Sequence, residues 1–362
     1  MKSNKDSVSH DTLTLFAITM KWVSTLALLL SLSNEFACGH STRKNIIVDT
    51  DLYSDVDDAG ALLVACTHPG ANLLGVNLNY PSIYTGLAAS SLLGYYNRSS
   101  VPIGLKRPVS NDTYFDDYTF ENGEYASKVA YHWRHHASLP WGDIESTWEP
   151  VRLYRKLLSD QAHQSVTIMS IGFLDNLSAL LSSTADDFSP LIGLELVMDK
   201  VQELVVMGGS YPSGREFNFF GYNSTAAAHV VNTWPGKATF VGNQVGLHVI
   251  SGARLTIEGP ANDPVRAAYL CGEKRSRSSW DPLTLLYGIE GLGGLFRLGS
   301  ETGHNYVYPD GRNVWKWWND GRSHSYVDLA VSNETAGAIL DERFLPGAMG
   351  VAHTNHSSWQ RG

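Results

Sequence analysis

Five carboxylates lie within ten residues near the start of the sequence, at positions 49, 51, 55, 57 and 58. Negative charges at this density repel one another unless a cation lies between them. Hard oxygen ligands favour Ca²⁺ or Mg²⁺, and the lack of Cys or His in the segment argues against Zn²⁺. The alternative is a solvated loop whose acids favour the N-terminus of a following helix. The segment predicts a divalent-metal site.

Apolar runs on both sides of these acids indicate the elements that position them. The run Asn45–Asp49 precedes them and Ala59–Cys66 follows them, which predicts a buried strand and then a helix from Asp58. Strands are also predicted at Leu73–Asn79, Ser165–Ile171, Glu203–Met207 and Ala238–Val241, and helices at Ile83–Tyr96, Val151–Ala162, Leu174–Ser182 and Asn262–Leu270. This alternation predicts an α/β fold with an open, mainly parallel sheet and helices on both faces.

Further polar residues follow other predicted strands. Asn79 ends the second strand, and Gly208-Gly209 leads from the strand at Glu203–Met207 to Glu216 and Asn218. In open parallel sheets, ligands bind beyond the carboxyl ends of the strands. We therefore expect these residues to share one site with the acids.

The remaining segments have less regular patterns. Val101–Pro150 is predicted to form loops over the sheet that, with C-terminal loops, line the binding pocket. The Trp-, Tyr- and Gly-rich tail is predicted to form hairpins with turns at Asp310-Gly311 and Asp320-Gly321. No low-complexity linker or fixed-period repeat is present, so residues 41–362 are predicted to form one domain.

The charge balance limits the class of partner. The formal net charge is −9, and no basic stripe is present to displace counterions from phosphates. Binding to nucleic acid or to anionic membranes is therefore disfavoured. A small-molecule substrate fits the composition better.

The first 38 residues are predicted to be a signal peptide, starting at Met1 or Met20. The apolar core is shorter than the roughly 18 residues of a spanning helix, and a signal anchor is the alternative. We expect a secreted protein that is free of the membrane after cleavage. Cys66 and Cys271 form either a bridge or, at Cys66, a buried free thiol. Six Asn-x-Ser/Thr sites are consistent with glycosylation: Asn97, Asn111, Asn176, Asn223, Asn333 and Asn355.

Two common metal motifs fit the acidic segment poorly. A calcium-binding helix-loop-helix counted from Asp49 needs glycine at Ser54 and glutamate at Gly60. A phosphatase of the haloacid-dehalogenase type carries Thr or Val two places after its second Asp, where this sequence has Tyr53. Such an enzyme also needs basic phosphate-binding residues at the strand ends, and the sequence indicates none there.

The segment instead resembles the N-terminal signature of the inosine-uridine-preferring nucleoside hydrolase family, which is strand, Asp-x-Asp-Pro-Gly-x-Asp-Asp-Ala, helix. Here it reads Asp49-Thr-Asp-Leu-Tyr-Ser-Asp-Val-Asp-Asp-Ala59, with two extra residues and Leu52-Tyr53 in place of Pro-Gly. Either Asp55 or Asp57 is the first acid of the Asp-Asp pair, and Asp57 fits better.

Three further family features occur in the family's order. Its Thr-Gly-Pro-Leu-Thr-Asn segment resembles Ile171–Asn176, and its Met-Gly-Gly and Glu-Phe-Asn resemble Met207–Gly209 and Glu216–Asn218. Its His-Asp pair before a helix resembles Trp280-Asp281. The resemblance implies the family's fold, hydrolysis of the N-glycosidic bond of ribonucleosides, and assembly into homodimers or homotetramers.

The resemblance also implies a Ca²⁺ ion bound by Asp51, Asp58, Asp281 and the main-chain carbonyl of Ile171. The ribose 2′- and 3′-hydroxyls complete its ligand shell. The ion would lower the pKa of a water and orient it toward the anomeric carbon, with Asp51 as general base.

Other residues are expected to bind the substrate. By resemblance, Asp57 and Asn79 face the lower ribose hydroxyls, and Glu216 and Asn218 face the 5′-hydroxyl. The alternatives are that Asn79 caps a turn and that Asn218 braces a loop. Trp280 stands where several family members have a histidine that protonates the leaving base, and an indole stacks on a base or lines the pocket.

The resemblance does not identify the residue that activates the leaving base. His248 and the group His132, His135 and His136 are candidate replacements for the missing histidine. Trp280 and Tyr53 leave open a catalytically inactive relative that binds a nucleoside or a protein partner. The acids leave open a divalent-metal phosphatase. Base preference is not predicted.

Overall fold

The computed structural model describes residues 43–53, 55–111, 125–271 and 275–359, with the backbone alone for 352–359. The strands in chain order are β1 (Lys44–Thr50), β2 (Ala71–Leu78), β3 (Ile103–Leu105), β4 (Val166–Ser170), β5 (Val201–Met207), β6 (Ser213–Arg215), β7 (Ala238–Val241), β8 (Ile250–Ser251), β9 (Arg277–Ser278), β10 (Phe296–Ser300), β11 (His304–Val307), β12 (Arg312–Lys316) and β13 (His324–Leu329).

The helices of the described segments connect these strands. In chain order they are α1 (Asp57–Thr67), α2 (Ile83–Tyr95), α3 (Ala126–His132), α4 (Pro150–Ser159), α5 (Asp175–Leu181), α6 (Gly193–Lys200), α7 (Phe217–Phe220), α8 (Ser224–Thr233), α9 (Asn243–Gly246), α10 (Ala253–Glu258), α11 (Pro264–Tyr269), α12 (Trp280–Glu290) and α13 (Asn333–Trp359). A single 3₁₀ turn covers Ile144–Ser146.

Eight strands form the main sheet, in the order β10-β13-β7-β5-β4-β1-β2-β3. Strands from β13 to β3 are parallel to their neighbours, and β10 is antiparallel to β13. The predicted open, mainly parallel sheet is confirmed. Since β1 lies between β2 and β4 near the middle of the sheet, the acidic segment that follows it lies centrally among the strand ends.

Helices cover both faces of this sheet, as predicted. Side chains alternate between the faces along a strand. In β1, Ile46 and Val48 therefore pack in one apolar core with α1, α2, α12 and α13, while Ile47 packs in a second core with α4, α5, α6 and α8. The two cores bury both faces of the sheet, which explains the nearly continuous apolar run of β1.

Two predictions for irregular regions are corrected. The segment Val101–Pro150 contains β3, α3 and the 3₁₀ turn, although its residues 112–124 lie outside the described part. The tail contains one predicted hairpin, β11–β12, in which Gly311 has a φ of 82°. The Asp320-Gly321 turn forms no hairpin, because the following β13 pairs in parallel with β7. The tail then ends in the long helix α13, which was not predicted.

Two small antiparallel sheets complete the fold of the described residues. Strand β12 pairs with β11 and with β6, and β8 pairs with β9. Cys66 is buried with a free thiol, and Cys271 is half-buried. In the described segments, no helix has the length and apolar composition to cross a membrane. The predicted signal peptide, residues 1–38, lies outside those segments.

Candidate active site

Asp49, the acid within β1, is buried and accepts hydrogen bonds from three side chains. The Tyr154 hydroxyl donates to its Oδ2 at 2.7 Å and the Asn79 amide to its Oδ1 at 2.6 Å. The Asn176 amide lies 3.2–3.3 Å from both oxygens. Burial raises the pKa of Asp49 to about 7, although these hydrogen bonds act in the opposite direction. Asp49 therefore connects the end of β1 to three neighbouring segments through hydrogen bonds.

Asn79 is one of the residues that donate to Asp49. Its Oδ1 accepts a hydrogen bond from the main-chain N–H of Phe173 at 3.2 Å, so it connects the end of β1 to the loop after β4. Asn79 is fully buried and does not line the cavity described below. The structure thus places it away from the cavity wall where we expected it to contact a substrate. Asn176 is also buried, which makes this predicted glycosylation site inaccessible in the folded protein.

A cavity of about 420 Å³ opens beyond the carboxyl ends of β1, β4 and β5. Eight of the nine residues predicted to form the site line it: Asp51, Asp57, Asp58, Ile171, Glu216, Asn218, Trp280 and Asp281. The other lining residues are Tyr53, Asp55, Met207, Arg215, Phe217, Asn243, Leu247 and Arg277. The common edge of a parallel sheet explains why segments so distant in sequence meet here.

Three buried carboxylates form the most concentrated charge in the cavity. Asp57, Asp58 and Asp281 each place one oxygen within 4.8 Å of the others. Burial first, and then mutual repulsion, raises the pKa of Asp58 and Asp281 well above the usual range. Oxygen ligands of this kind suit a hard divalent cation, whose charge would remove the repulsion. Asp58 and Asp281 were predicted metal ligands, and Asp57, which was predicted to contact the ribose, lies in the same cluster.

Asp51 lies in the same cavity and is partly exposed. Burial and the neighbouring Asp55 and Asp49 raise its pKa to about 7, while a hydrogen bond with Asp58 lowers it. The approach of Gly172 is close: a Cβ on that residue would lie 2.5 Å from the Asp51 nitrogen and 2.8 Å from its Oδ1. The loop after β4 therefore holds Asp51 in position only if residue 172 lacks a side chain.

Asp57 also caps helix α12. Its Oδ2 accepts the main-chain N–H of Trp280 at 2.9 Å and that of Asp281 at 3.1 Å. A carboxylate at this position satisfies otherwise unpaired N–H groups and interacts favourably with the helix dipole. The cap connects the acidic loop to the segment that carries Asp281.

Asp55 has a different partner. Its two oxygens accept hydrogen bonds from Nε and Nη2 of Arg277 at 2.8 and 2.7 Å. Of the two candidates for the first acid of the Asp-Asp pair, Asp57 is therefore the one that lies with Asp58 and Asp281. Asp55 is bound to an arginine at the cavity wall.

Trp280 forms a fixed part of the wall. Its indole N–H donates to the carbonyl of Asn243 at 2.9 Å. A Cβ on Gly246 would lie 2.6 Å from its Cα and from two of its ring carbons. None of the described residues that line the cavity is a histidine, and His248 is an exposed residue directly after Leu247 of the lining.

Glu216 and Asn218, which follow β5 and β6 in the chain, also line the cavity. Glu216 is buried and accepts the N–H groups of Gly209 and Asn218 at 3.1 and 2.9 Å. Burial raises its pKa to about 7. Gly209, with a φ of 78°, turns the chain after β5, and the Asn218 amide donates to the Met207 carbonyl at 3.2 Å.

Sequence reasoning missed two arginines in this cavity. Arg277 is paired with Asp55, and the guanidinium of Arg215 lies 3.9 Å from the ring centre of Phe220. The sequence indicated no basic phosphate-binding residues at the strand ends, and two arginine side chains line the cavity. Arg215 directly precedes Glu216, which was a usable signal. Arg277 is 222 residues from Asp55 in sequence, and no local pattern indicates that pairing.

An open parallel sheet with a carboxylate-lined cavity beyond its strand ends is typical of α/β enzymes that bind small molecules. The chain belongs to the inosine-uridine preferring nucleoside hydrolase family, whose sequence profile matches residues 46–292. It is accordingly an N-glycosyl hydrolase of ribonucleosides.

Individual relatives agree with this assignment. The chain is 28% identical over 243 residues to a probable uridine nucleosidase 2 of Arabidopsis thaliana, covering 63% of this chain and 68% of that protein. The inosine-uridine preferring nucleoside hydrolase of Bacillus anthracis has a TM-score of 0.60 at 16% identity, covering 85% of this chain and 99% of that one. A purine-preferring ribonucleoside hydrolase of Gardnerella vaginalis has a TM-score of 0.61 at 16% identity, with the same coverage. These structures share the fold.

Proposed function

We propose that this protein hydrolyses the N-glycosidic bond of ribonucleosides with Ca²⁺ in the carboxylate cluster and Asp51 as the general base. The observation that carries the proposal is the meeting of Asp51 with Asp57, Asp58 and Asp281 in one cavity of about 420 Å³. That volume is in the range of small-molecule sites.

The donor set fits a calcium ion. The candidate ligands are Asp51, Asp58, Asp281 and the main-chain carbonyl of Ile171, all lining the cavity. They offer hard oxygen atoms, which Ca²⁺ and Mg²⁺ prefer, and Ca²⁺ accepts the larger and less regular ligand shell. When bound, the ion supplies Lewis acidity that makes a water easier to deprotonate.

Asp51 takes the proton from the attacking water. Its carboxylate lies in the same cavity as the carboxylate cluster, where a general base can reach a water next to the ion. Breaking the C–N bond leaves positive charge on the sugar ring, which nearby carboxylates stabilise. Asp57 faces the lower ribose hydroxyls and Glu216 and Asn218 the 5′-hydroxyl, so that the ring is oriented for attack. Asn79 acts indirectly, through Asp49 and Phe173.

Release of free base from inosine, uridine, adenosine and guanosine tests this function. We expect release that EGTA abolishes and added Ca²⁺ restores, with no hydrolysis of p-nitrophenyl phosphate. Hydrolysis of the phosphate ester alone would support a phosphatase instead. Tight nucleoside binding without release would identify an inactive relative, a reading motivated by Tyr53, which is buried against Tyr80 with ring centres 4.3 Å apart.

We also propose that the protein is secreted and glycosylated, and that it forms homodimers or homotetramers. The apolar N-terminal segment supports secretion, and Asn97, Asn111 and Asn223 are exposed and therefore accessible acceptors. Expression of the full chain in a secreting cell checks both points, because a mass shift after glycosidase treatment of the medium is expected. Light scattering of the purified protein measures the oligomer.

A further inference from the structure

Arg277 lies beside Trp280 at the cavity wall and is held there by Asp55. The two side chains form a two-pronged ion pair, with nitrogen–oxygen distances of 2.8 and 2.7 Å. Their exposed fractions are 13% and 31%. The guanidinium carbon lies 5.4 Å from the ring centre of Trp280. A bidentate carboxylate fixes the plane of a guanidinium, so the position of this positive charge is set before a ligand binds.

The proposed reaction needs positive charge near the departing base. When the C–N bond breaks, its electron pair goes to the base nitrogen and the base leaves as an anion. The cavity wall contains six carboxylates: Asp51, Asp55, Asp57, Asp58, Glu216 and Asp281. Carboxylates stabilise the cationic sugar but oppose an anionic leaving group, so a cation beside the base would lower the barrier.

Other groups at the wall are poorly suited to this role. The described lining residues include no histidine. The indole N–H of Trp280 donates to the Asn243 carbonyl. Arg215 directly precedes Glu216, and its guanidinium lies 3.9 Å from the ring centre of Phe220. In the described part of the wall, Arg277 is the cationic side chain adjacent to Trp280.

We propose that Arg277, oriented by Asp55, stabilises the departing base and replaces the proton donor that Trp280 cannot supply. This inference rests on the proposed nucleoside hydrolysis. The C1′–N bond breaks with its electron pair going to the base, and the water oxygen forms the new C1′–O bond. The proton from that water goes to Asp51, the base anion takes a proton from solvent water, and Asp51 then returns its proton to the hydroxide that remains. Arg277 stays protonated throughout, because arginine does not deprotonate in proteins.

Leaving-group dependence tests the proposal. Inosine leaves an unstable anion, whereas p-nitrophenyl β-D-ribofuranoside leaves a stable phenolate that needs little assistance. We expect Arg277→Gln to lower kcat/KM for inosine by about 100-fold, the usual loss for one electrostatic donor, and that for the nitrophenyl riboside by less than about threefold. Arg277→Lys should restore about tenfold of the loss, because the charge is retained without the fork.

Two further variants keep the test decisive. Asp55→Asn retains Arg277 but loosens it, and should lower the inosine to nitrophenyl riboside ratio by about tenfold. Arg215→Gln is the matched control, since it removes a guanidinium from the same cavity and should leave that ratio unchanged. Melting temperatures of all variants identify any that fail to fold.

Three results would overturn the proposal. Equal losses on both substrates in Arg277→Gln would show a structural role, and unchanged rates on both would show no role. A ratio that falls equally in Arg215→Gln would show that any positive charge in the cavity suffices. If the wild-type protein releases neither hypoxanthine nor nitrophenol, the proposed function itself fails, which is a result distinct from the loss of leaving-group dependence.

Discussion

Three acids at the start of α1 and just before it have three different partners. Asp55 binds Arg277, Asp57 caps α12, and Asp58 accepts a hydrogen bond from the hydroxyl of Thr50. The same residue type therefore has three structural roles. Asp55 orients a cation, Asp57 positions a helix, and Asp58 contributes to the carboxylate cluster. Spacing in the sequence does not distinguish these roles.

Gly172 gives a prediction at the scale of single residues. Gly172→Ala places a Cβ 2.5 Å from the Asp51 nitrogen, so we expect a loss of about 2 kcal/mol in unfolding free energy. We also expect kcat/KM to fall by roughly 10- to 100-fold, because Asp51 is displaced. Urea unfolding and base release measure the two effects.

Gly236→Ala is the control for this variant. Its Cβ would approach nothing more closely than the Trp234 Nε1 atom at 3.7 Å, so neither stability nor rate should change much. If the two variants had the same unfolding free energy and the same kcat/KM, the close contact between Gly172 and Asp51 would not contribute to stability or activity.

At this scale the sequence predicted much of the site, because family-like segments lie at successive strand ends. Eight of nine candidate residues line one cavity, and their roles in catalysis remain predictions. Asn79 is the ninth, and its segment alone does not show that its amide is hydrogen-bonded to Asp49 and to the N–H of Phe173. Arg277 was missed since its contact with Asp55 depends on the folded chain.

At the scale of elements, the contact between the acidic loop and α12 brings the two halves of the carboxylate cluster together. The cap by Asp57 predicts a difference between two variants that both remove its charge. Asp57→Asn keeps an oxygen acceptor for the N–H groups of Trp280 and Asp281, whereas Asp57→Ala does not. We expect Asp57→Ala to be less stable than Asp57→Asn by about 1 kcal/mol, measured by urea unfolding without metal. Equal stabilities of the two variants would show that the hydrogen bonds to Asp57 do not stabilise α12.

The elements themselves were predictable where apolar periodicity was local. Strand β7 was predicted at its observed bounds, and β1, β2, β4 and α5 were within two residues of theirs. Helix α13 was not predicted, since Pro346 interrupts its pattern and its stability comes from packing. Phe344 of α13 lies so close to α1 that a Cβ on Gly60 would approach its ring at 2.9 Å.

At the scale of the whole molecule, buried acids make the metal-free protein sensitive to pH. The pKa values of Asp49, Asp51 and Glu216 rise to about 7 through burial. Between about pH 4 and pH 7, the folded state therefore holds protons that the unfolded chain has released, and stability falls as the pH rises. A bound cation removes this penalty and adds binding free energy to the folded state.

Thermal unfolding of resin-treated, metal-free protein measures this effect. We expect the melting temperature to be lower at pH 7.5 than at pH 5 by about 5 °C, since a few kcal/mol correspond to several degrees in a domain of this size. Excess Ca²⁺ should raise the value at pH 7.5 and remove most of the difference. A metal-free protein that is more stable at pH 7.5 would contradict the burial of protonated acids.

The central claim is that the carboxylate cluster binds the cation that supports N-glycosidic cleavage. Its most direct test is the rate of base release from uridine against free Ca²⁺ in chelator-buffered solution, for wild type, Asp281→Asn and the control Asp160→Asn on the exposed end of α4. We predict a one-site saturation curve whose midpoint rises at least about tenfold in Asp281→Asn, as expected when a charged ligand is lost, and stays unchanged in Asp160→Asn. A rate that is independent of free Ca²⁺, or the same midpoint in all three proteins, would contradict the account.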